Sequence, residues 1–199
     1  MIDIFPTITA FAIVFMAELG DKTQLTVMML SSKGSARSVF FGAMLAFLIV
    51  DGVSLLIGDE LLSFIPYDLI GAGAGLLFIF IGALSLIRRR KERNRVDEIE
   101  SRKADFLKTF SIIALMELGD KTQLACVVLA AELGNPLGVL AGVMLGFSAV
   151  TAIGVISGTK ILRILPRRYL EIGAAFLFIL LGILFILDAA SYIALVPHP

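Results

Sequence analysis

The stretch Glu18-Leu19-Gly20-Asp21-Lys22-Thr23-Gln24-Leu25 returns unchanged at Glu117–Leu124, 99 positions later. Each copy lies near the middle of a long apolar run, at residues 8–30 and 106–131. Ionisable residues are rare inside the hydrocarbon region. Where they occur, they usually face a bundle interior or a water-filled path and serve a function. The two identical octapeptides therefore require one common functional explanation.

The composition is that of a polytopic membrane protein. Of the 199 residues 58% are hydrophobic and 17% are charged, against about 25% charged in a soluble domain. The mean hydropathy is +0.97. The single Cys126 and single His198 argue against a disulfide scaffold, a zinc site or a Cys/His catalytic pair. We expect neither an enzyme nor a resident cofactor, and no nucleic-acid partner.

Six segments are long enough to cross a bilayer, which takes roughly 20 apolar residues each. They are Thr7–Leu30, Val39–Ile57, Leu69–Ile87, Leu107–Ala131, Leu137–Ser157 and Tyr169–Ala189. Loop signals, among them Pro66, Gly134-Asn135-Pro136 and Pro166, separate them.

Charge distribution predicts the orientation of these segments, because cytoplasmic loops carry an excess of Lys and Arg. The first, third and fifth connections hold Lys33, Arg37, Arg88, Arg89, Arg90, Lys91, Arg93, Arg95, Arg102, Lys103, Lys108, Lys160, Arg163, Arg167 and Arg168. The opposite side holds Asp3, Asp59, Glu60, Asp68, Glu132 and Asp188, with no Lys or Arg. We therefore expect both termini outside and the three basic loops in the cytoplasm.

The two halves resemble each other well beyond the octapeptide. Gly42, Phe47, Gly58, Pro66, Phe78 and Gly82 match Gly142, Phe147, Gly158, Pro166, Phe178 and Gly182. We predict a three-helix repeat at 1–87, a basic linker at 88–106 and a second repeat at 107–199. An odd number of spans turns the second repeat upside down, the design of many secondary transporters. The predicted fold is all-α, with six transmembrane helices in two inverted repeats.

Treated as a continuous helix, the motif places Glu18 and Asp21 about 60° apart on one face. Glu117 and Asp120 repeat this geometry, so a pseudo-two-fold axis can gather four carboxylates around one point. Gly20 and Gly119 allow either close helix approach or local unwinding. Further neutral oxygens belong to Thr23, Thr122, Gln24 and Gln123. A set of oxygen donors suits hard cations such as Mg²⁺, Ca²⁺ and Mn²⁺, and suits Zn²⁺ or Cu⁺ poorly.

The charges of the motif indicate exchange chemistry. Four carboxylates with Lys22 and Lys121 leave a formal balance of −2, which one divalent cation neutralises. Without the cation the clustered carboxylates repel one another and lose hydration, so we expect protons to bind in its place. The two lysines have three open roles: pairing with an acid of the opposite repeat, replacing the cation in the empty state, or extending away from the site.

Asp51 is an acid inside the second predicted span, where the other half has Thr151. One interpretation makes Asp51 a proton or cation relay toward the outside. The other places it close enough to the outer interface to be hydrated.

At Glu18–Thr23 and Glu117–Thr122 the chain resembles the cation/proton exchanger family with two Glu-x-Gly-Asp-(Lys/Arg)-(Thr/Ser) signatures, which includes the Golgi manganese/calcium transporter and the MneA-type bacterial manganese exporters. The resemblance covers essentially the whole chain. It implies export of Mn²⁺, in some members Ca²⁺, against protons, with Glu18, Asp21, Glu117 and Asp120 as metal ligands. The short chain without a targeting extension indicates a prokaryotic plasma-membrane protein.

Two rival interpretations remain at this stage. A cation channel would need a continuous wet pore, and a structural or regulatory membrane subunit would use the acids as a buried ion-pair network. The expected partners are a divalent cation, protons and membrane lipid. Homo-oligomer formation stays open, as does the choice between Mn²⁺ and Ca²⁺.

Overall fold

The computed structural model describes residues 4–62, 67–87, 105–157 and 167–195. Within these ranges all regular secondary structure is α-helical, and there is no strand. The helices are α1 (Phe5–Glu18), α2 (Lys22–Lys33), α3 (Ala36–Leu62), α4 (Tyr67–Ile87), α5 (Phe106–Glu117), α6 (Lys121–Leu133), α7 (Pro136–Ser157) and α8 (Arg167–Leu195). Most of the predicted basic linker, and the basic loop at 158–166, lie outside the described residues.

The motif is not the continuous helix that the sequence analysis assumed. Helix α1 ends at Glu18 and α2 begins at Lys22, and the same break separates α5 from α6 in the second copy. Glu18 and Asp21 therefore flank an interruption instead of sharing one helical face. The first and fourth predicted spans each consist of two half-helices.

Glycine explains the position of the break. Gly20 and Gly119 have φ angles of +87° and +77°, in the left-handed region that other L-residues avoid because of their Cβ atoms. One residue in this conformation ends the regular hydrogen-bond ladder. Of the two roles considered for these glycines, the structure shows local unwinding.

Three described helices are long and apolar enough to cross a membrane, over Ala36–Gly58, Pro136–Ile156 and Ile172–Ser191. Two shorter apolar stretches, Phe5–Glu18 and Leu69–Leu84, accompany them. The membrane character is thus supported, while the count of six spans stays a prediction. Broken helices at membrane depth are tolerated where protein buries them or where they line a cavity.

The two halves pack against each other through equivalent pairs of helices. Helix α1 packs on α7, and its counterpart α5 packs on α3; α2 likewise meets α7 while α6 meets α3. Gly42 and Gly142 permit close contact between these helices because they have no Cβ atom. A Cβ atom on Gly42 would lie 2.6 Å from the carbonyl oxygen of Phe106, and a Cβ atom on Gly142 would overlap the carbonyl oxygen of Thr7. The interface between the repeats therefore brings each half-helix of the motif against the long helix of the other half.

Equivalent aromatic residues meet where the two halves face each other. The rings of Phe47 and Phe147 stack with centroids 3.7 Å apart, and those of Phe78 and Phe178 lie 5.4 Å apart. All four side chains are buried. A residue that contacts its own repeat counterpart lies close to a two-fold axis, so the aromatic pairs indicate a pseudo-two-fold axis through the core.

Candidate cation-binding site

The helix breaks set the positions of the four motif acids. Glu18 and Glu117 are the last residues of α1 and α5, and only 1% and 0% of their surfaces are exposed. Asp21 and Asp120 immediately precede α2 and α6, and their side chains make no capping hydrogen bond to those helices. The aspartate carboxylates are therefore available to other partners.

Three acids from both copies converge on one point. Glu18, Glu117 and Asp120 each offer a carboxylate oxygen, and these three oxygens lie within 4.8 Å of one another. We call these residues the acid triad. Three carboxylates this close repel one another unless protons or a cation compensate their charge. The triad therefore has the donor chemistry and the spacing of a site for a hard cation.

Threonine hydroxyls join the two copies across the axis. Thr23 donates to the Oε1 atom of Glu117 at 2.7 Å, and Thr122 donates to the Oε1 atom of Glu18 at 2.6 Å. All four side chains are buried. Each glutamate is thus oriented by the opposite repeat, so neither half can form the site alone. Whether the two threonine oxygens also bind a metal stays a prediction.

Lys121 pairs with an acid of the opposite repeat, one of the three roles considered for the lysines. Its Nζ atom lies 3.5 Å from Oδ2 of Asp21. This ion pair occupies Asp21, which lies outside the acid triad, whereas Asp120 belongs to the triad. Three of the motif acids consequently converge in the triad, and the fourth, Asp21, is joined to Lys121 of the opposite repeat.

The two glutamines stabilise the helix breaks. Oε1 of Gln24 accepts the backbone N–H of Gly20 at 2.5 Å, and Oε1 of Gln123 accepts that of Gly119 at 2.7 Å. Each bond satisfies a backbone donor that the interruption leaves without a helical acceptor. The predicted ligand role of Gln24 and Gln123 is untested, but their amide oxygens already have this structural task.

Helix termini also point at the site. The N-termini of α2 and α6 lie at the breaks, where unsatisfied N–H groups give a helix a partial positive charge. This charge stabilises the neighbouring carboxylates. The carbonyl oxygens of Glu18 and Glu117, at the C-termini of α1 and α5, accept the backbone N–H groups of Asp21 and Asp120 at 3.1 Å, which closes each break.

Asp51 lies next to the motif acids and is completely buried, at 0% exposure. Its charge interacts with those of Glu18, Glu117 and Asp120. The structure thus places Asp51 beside the site, and the interpretation as an acid hydrated at the interface does not fit its burial. A role as a relay stays a prediction.

Sequence reasoning missed Ser54, one turn beyond Asp51 on α3. Its Oγ atom accepts a hydrogen bond of 2.5 Å from Nε2 of Gln123 and donates one of 2.6 Å to the carbonyl oxygen of Val50. This contact ties α3 to the second motif. The corresponding residue in the other half is Gly154, so no repeated pattern could have identified the serine.

Acids from two repeats that converge at interrupted helices are typical of secondary transporters for cations. The family model described as "Divalent cation/proton antiporter GDT1" matches residues 6–93 and, separately, residues 105–192. The chain belongs to this family. The two matches also show that each half carries the family's repeat.

Similar proteins occur in plants and cyanobacteria. The chain is 28% identical to the chloroplastic protein PAM71 of Arabidopsis thaliana over 94% of its own length and 56% of that protein's. It is 26% identical to the GDT1-like protein sll0615 of Synechocystis over 88% and 96% of the two lengths. A chloroplastic GDT1-like protein 1 of rice is 25% identical and is covered over 55% of its length. The chain thus spans about half the length of these chloroplast relatives. No solved structure matches the chain.

Proposed function

We propose that this protein exports a divalent cation, Mn²⁺ in the first place and Ca²⁺ as a second substrate, in exchange for protons. The observation that carries the proposal is the acid triad, in which two buried glutamates and the half-buried Asp120 come from both motif copies and offer carboxylate oxygens within 4.8 Å of one another. Membership in a divalent cation/proton antiporter family supports the same reaction.

The spacing of the triad suits ions of this size. Calcium binds oxygen ligands at roughly 2.3–2.6 Å, so two ligands on opposite sides of it lie about 5 Å apart, and a smaller cation draws them closer. Calcium also takes about 6–8 oxygen ligands. The triad offers three carboxylate oxygens, and Mn²⁺, like Ca²⁺, accepts a set of oxygen ligands of this kind.

Competition between the cation and protons for the same oxygens couples the two fluxes. When the cation leaves, the three carboxylates of the triad remain side by side, and their repulsion makes proton binding favourable. When protons leave, the carboxylates attract the next cation. An inward proton gradient then drives the cation outward if the site opens to one side at a time.

The reciprocal packing of the halves supports alternating access by rocking of two repeats. We propose six membrane-crossing segments in two inverted three-segment repeats, the first and fourth of them broken at the motif. The basic loops face the cytoplasm, both termini face outside, and the membrane is a prokaryotic plasma membrane. The charge segregation in the sequence supports this orientation.

The purified protein in liposomes with an imposed pH gradient tests the proposal. We expect Mn²⁺ flux, and weaker Ca²⁺ flux, that follows the gradient and disappears in Glu18→Gln. Asp105→Asn is the matched control, because it removes one acidic charge from an exposed residue far along α5 from the site. Asn also caps helices well, so the control should transport like the unmodified protein.

Other outcomes would reject the proposal in distinct ways. Mn²⁺ flux that ignores the pH gradient would indicate a channel or uniporter. Full transport by Glu18→Gln at equal protein levels would show that the acid triad is not the transport site. Absence of any cation flux together with tight assembly would favour a structural subunit.

A further inference from the structure

Asp51 is an acid that neither copy of the motif contains. None of its surface is exposed, and neither carboxylate oxygen has a hydrogen-bond partner within the described residues. The charges that act on it belong to Glu18, Glu117 and Asp120, all of the same sign. The neighbouring acids therefore make the ionised form of Asp51 less favourable instead of compensating it.

The charge of such a group must be compensated by a cation or removed by a proton. A buried carboxylate without hydrogen bonds or a counter-ion is strongly unfavourable, and buried charges in proteins are paired or coordinate metals. A purely apolar residue would fill the same space on α3 at no electrostatic cost. A cation that enters the site beside Asp51 would give this carboxylate its missing partner, and a proton would neutralise it when the cation is absent.

The position of Asp51 in the fold also links it to the cation site. Helix α3 packs on α6, the half-helix that follows Asp120, and the hydrogen bond from Gln123 to Ser54 holds the two helices together. Asp51 lies one turn before Ser54 on α3. In the other half the equivalent residue is Thr151, buried and without charge. Only the first half therefore places an acid at this position of its long helix.

We propose that Asp51 is a further acid of the cation site, which lies beside the acid triad and strengthens binding of the transported cation by its negative charge. This inference rests on the proposed function, because it assumes that the triad receives a divalent cation.

Equilibrium binding of Mn²⁺ to the purified, monodisperse protein tests the inference. Asp51→Asn keeps the shape of the side chain and removes its charge, so we expect Mn²⁺ affinity to fall by at least about tenfold, as when a metal site loses an interacting group. Asp51→Glu keeps a carboxylate and should retain part of the affinity. Thr151→Val, at the equivalent buried position, should bind Mn²⁺ like the unmodified protein.

Thermal unfolding of each variant separates binding from folding. Lower Mn²⁺ affinity in Asp51→Asn, with the carboxylate variant closer to the unmodified protein, supports the assignment even if stability changes, because affinity is measured on folded protein. Unchanged affinity in Asp51→Asn overturns it and makes Asp51 a neutral structural acid. If Glu18→Gln abolishes binding while Asp51→Asn does not, the proposed function survives and only this inference fails. If neither variant alters binding, both fail.

Discussion

The two copies of the octapeptide have identical residues and the same local structure, yet they differ in their surroundings. In both, a left-handed glycine breaks the helix, a glutamine caps the break and a threonine binds the opposite glutamate. The aspartates differ: Asp120 belongs to the acid triad, while Asp21 is paired with Lys121. Local conformation therefore follows the repeated sequence, whereas the charge balance of each copy depends on neighbours that are not repeated.

The long helices account for part of this difference. Helix α3 brings Ser54 to the second motif and carries Asp51 near acids of both motifs, whereas α7 has Thr151 and Gly154 at the corresponding positions. Extra negative charge on the α3 side makes the two faces of the site electrostatically unequal. A transporter that takes a cation from one side and releases it on the other can use such an inequality.

The largest expected effect tests the feature that the copies share. Glu18→Gln and Glu117→Gln should each weaken Mn²⁺ binding by roughly 100-fold, and by similar factors, because each removes one charged member of the acid triad. Titration of Mn²⁺ against the purified variants measures this. A strong loss in one variant alone would show that a single copy forms the site.

The aspartates test the feature in which the copies differ. Asp120→Asn should lose about tenfold more Mn²⁺ affinity than Asp21→Asn, since only Asp120 is a member of the triad. Equal losses would contradict the division seen in the structure. Neutralising Lys121 together with Asp21, as Asp21→Asn with Lys121→Gln, should recover affinity relative to Asp21→Asn, because it removes the cation left without its carboxylate.

Helix interruption can be tested through stability. Gly119→Ala should lower the free energy of unfolding by about 1–2 kcal/mol, the cost of a left-handed conformation for a residue with a Cβ atom. A Cβ atom there meets nothing within 4 Å, so the change is conformational and not steric. Gly73→Ala on α4 is the matched control: it is equally open but helical, and should not destabilise. Thermal unfolding of both variants distinguishes them.

The smallest expected effect concerns the hydrogen bonds across the axis. Thr23→Val and Thr122→Val should each weaken Mn²⁺ binding by about 1 kcal/mol, roughly fivefold, because each removes one donor that orients a glutamate. The reciprocal geometry predicts equal effects. Thr26→Val, whose hydroxyl donates only to the carbonyl oxygen of Lys22 in its own helix, should bind Mn²⁺ normally. A loss confined to one of the two motif threonines would contradict the symmetry.

Much of the site could be predicted because its residues are repeated. The two copies of the motif identified Glu18, Glu117 and Asp120, and the apolar runs around them indicated burial in a membrane. The helix break was harder, since Gly20 and Gly119 are compatible with both close packing and unwinding. The structure shows unwinding, and the side-chain amides of Gln24 and Gln123 stabilise it because they accept the backbone N–H groups that unwinding exposes. The hydrogen bond from each glycine to its glutamine is a three-dimensional contact, and the spacing of the residues in the sequence did not reveal it.

The sequence by itself determined the all-helical membrane character, the two-fold repeat and the family, because apolar run length, charge pattern and a duplicated motif are properties of the chain in one dimension. The tertiary structure decided which acids share one point, which acid pairs with Lys121, and that Asp51 is buried beside the triad. The physical reason is that a carboxylate's partners are set by distances between helices far apart in sequence. Those distances depend on how α3 and α7 pack against the broken helices of the opposite repeat.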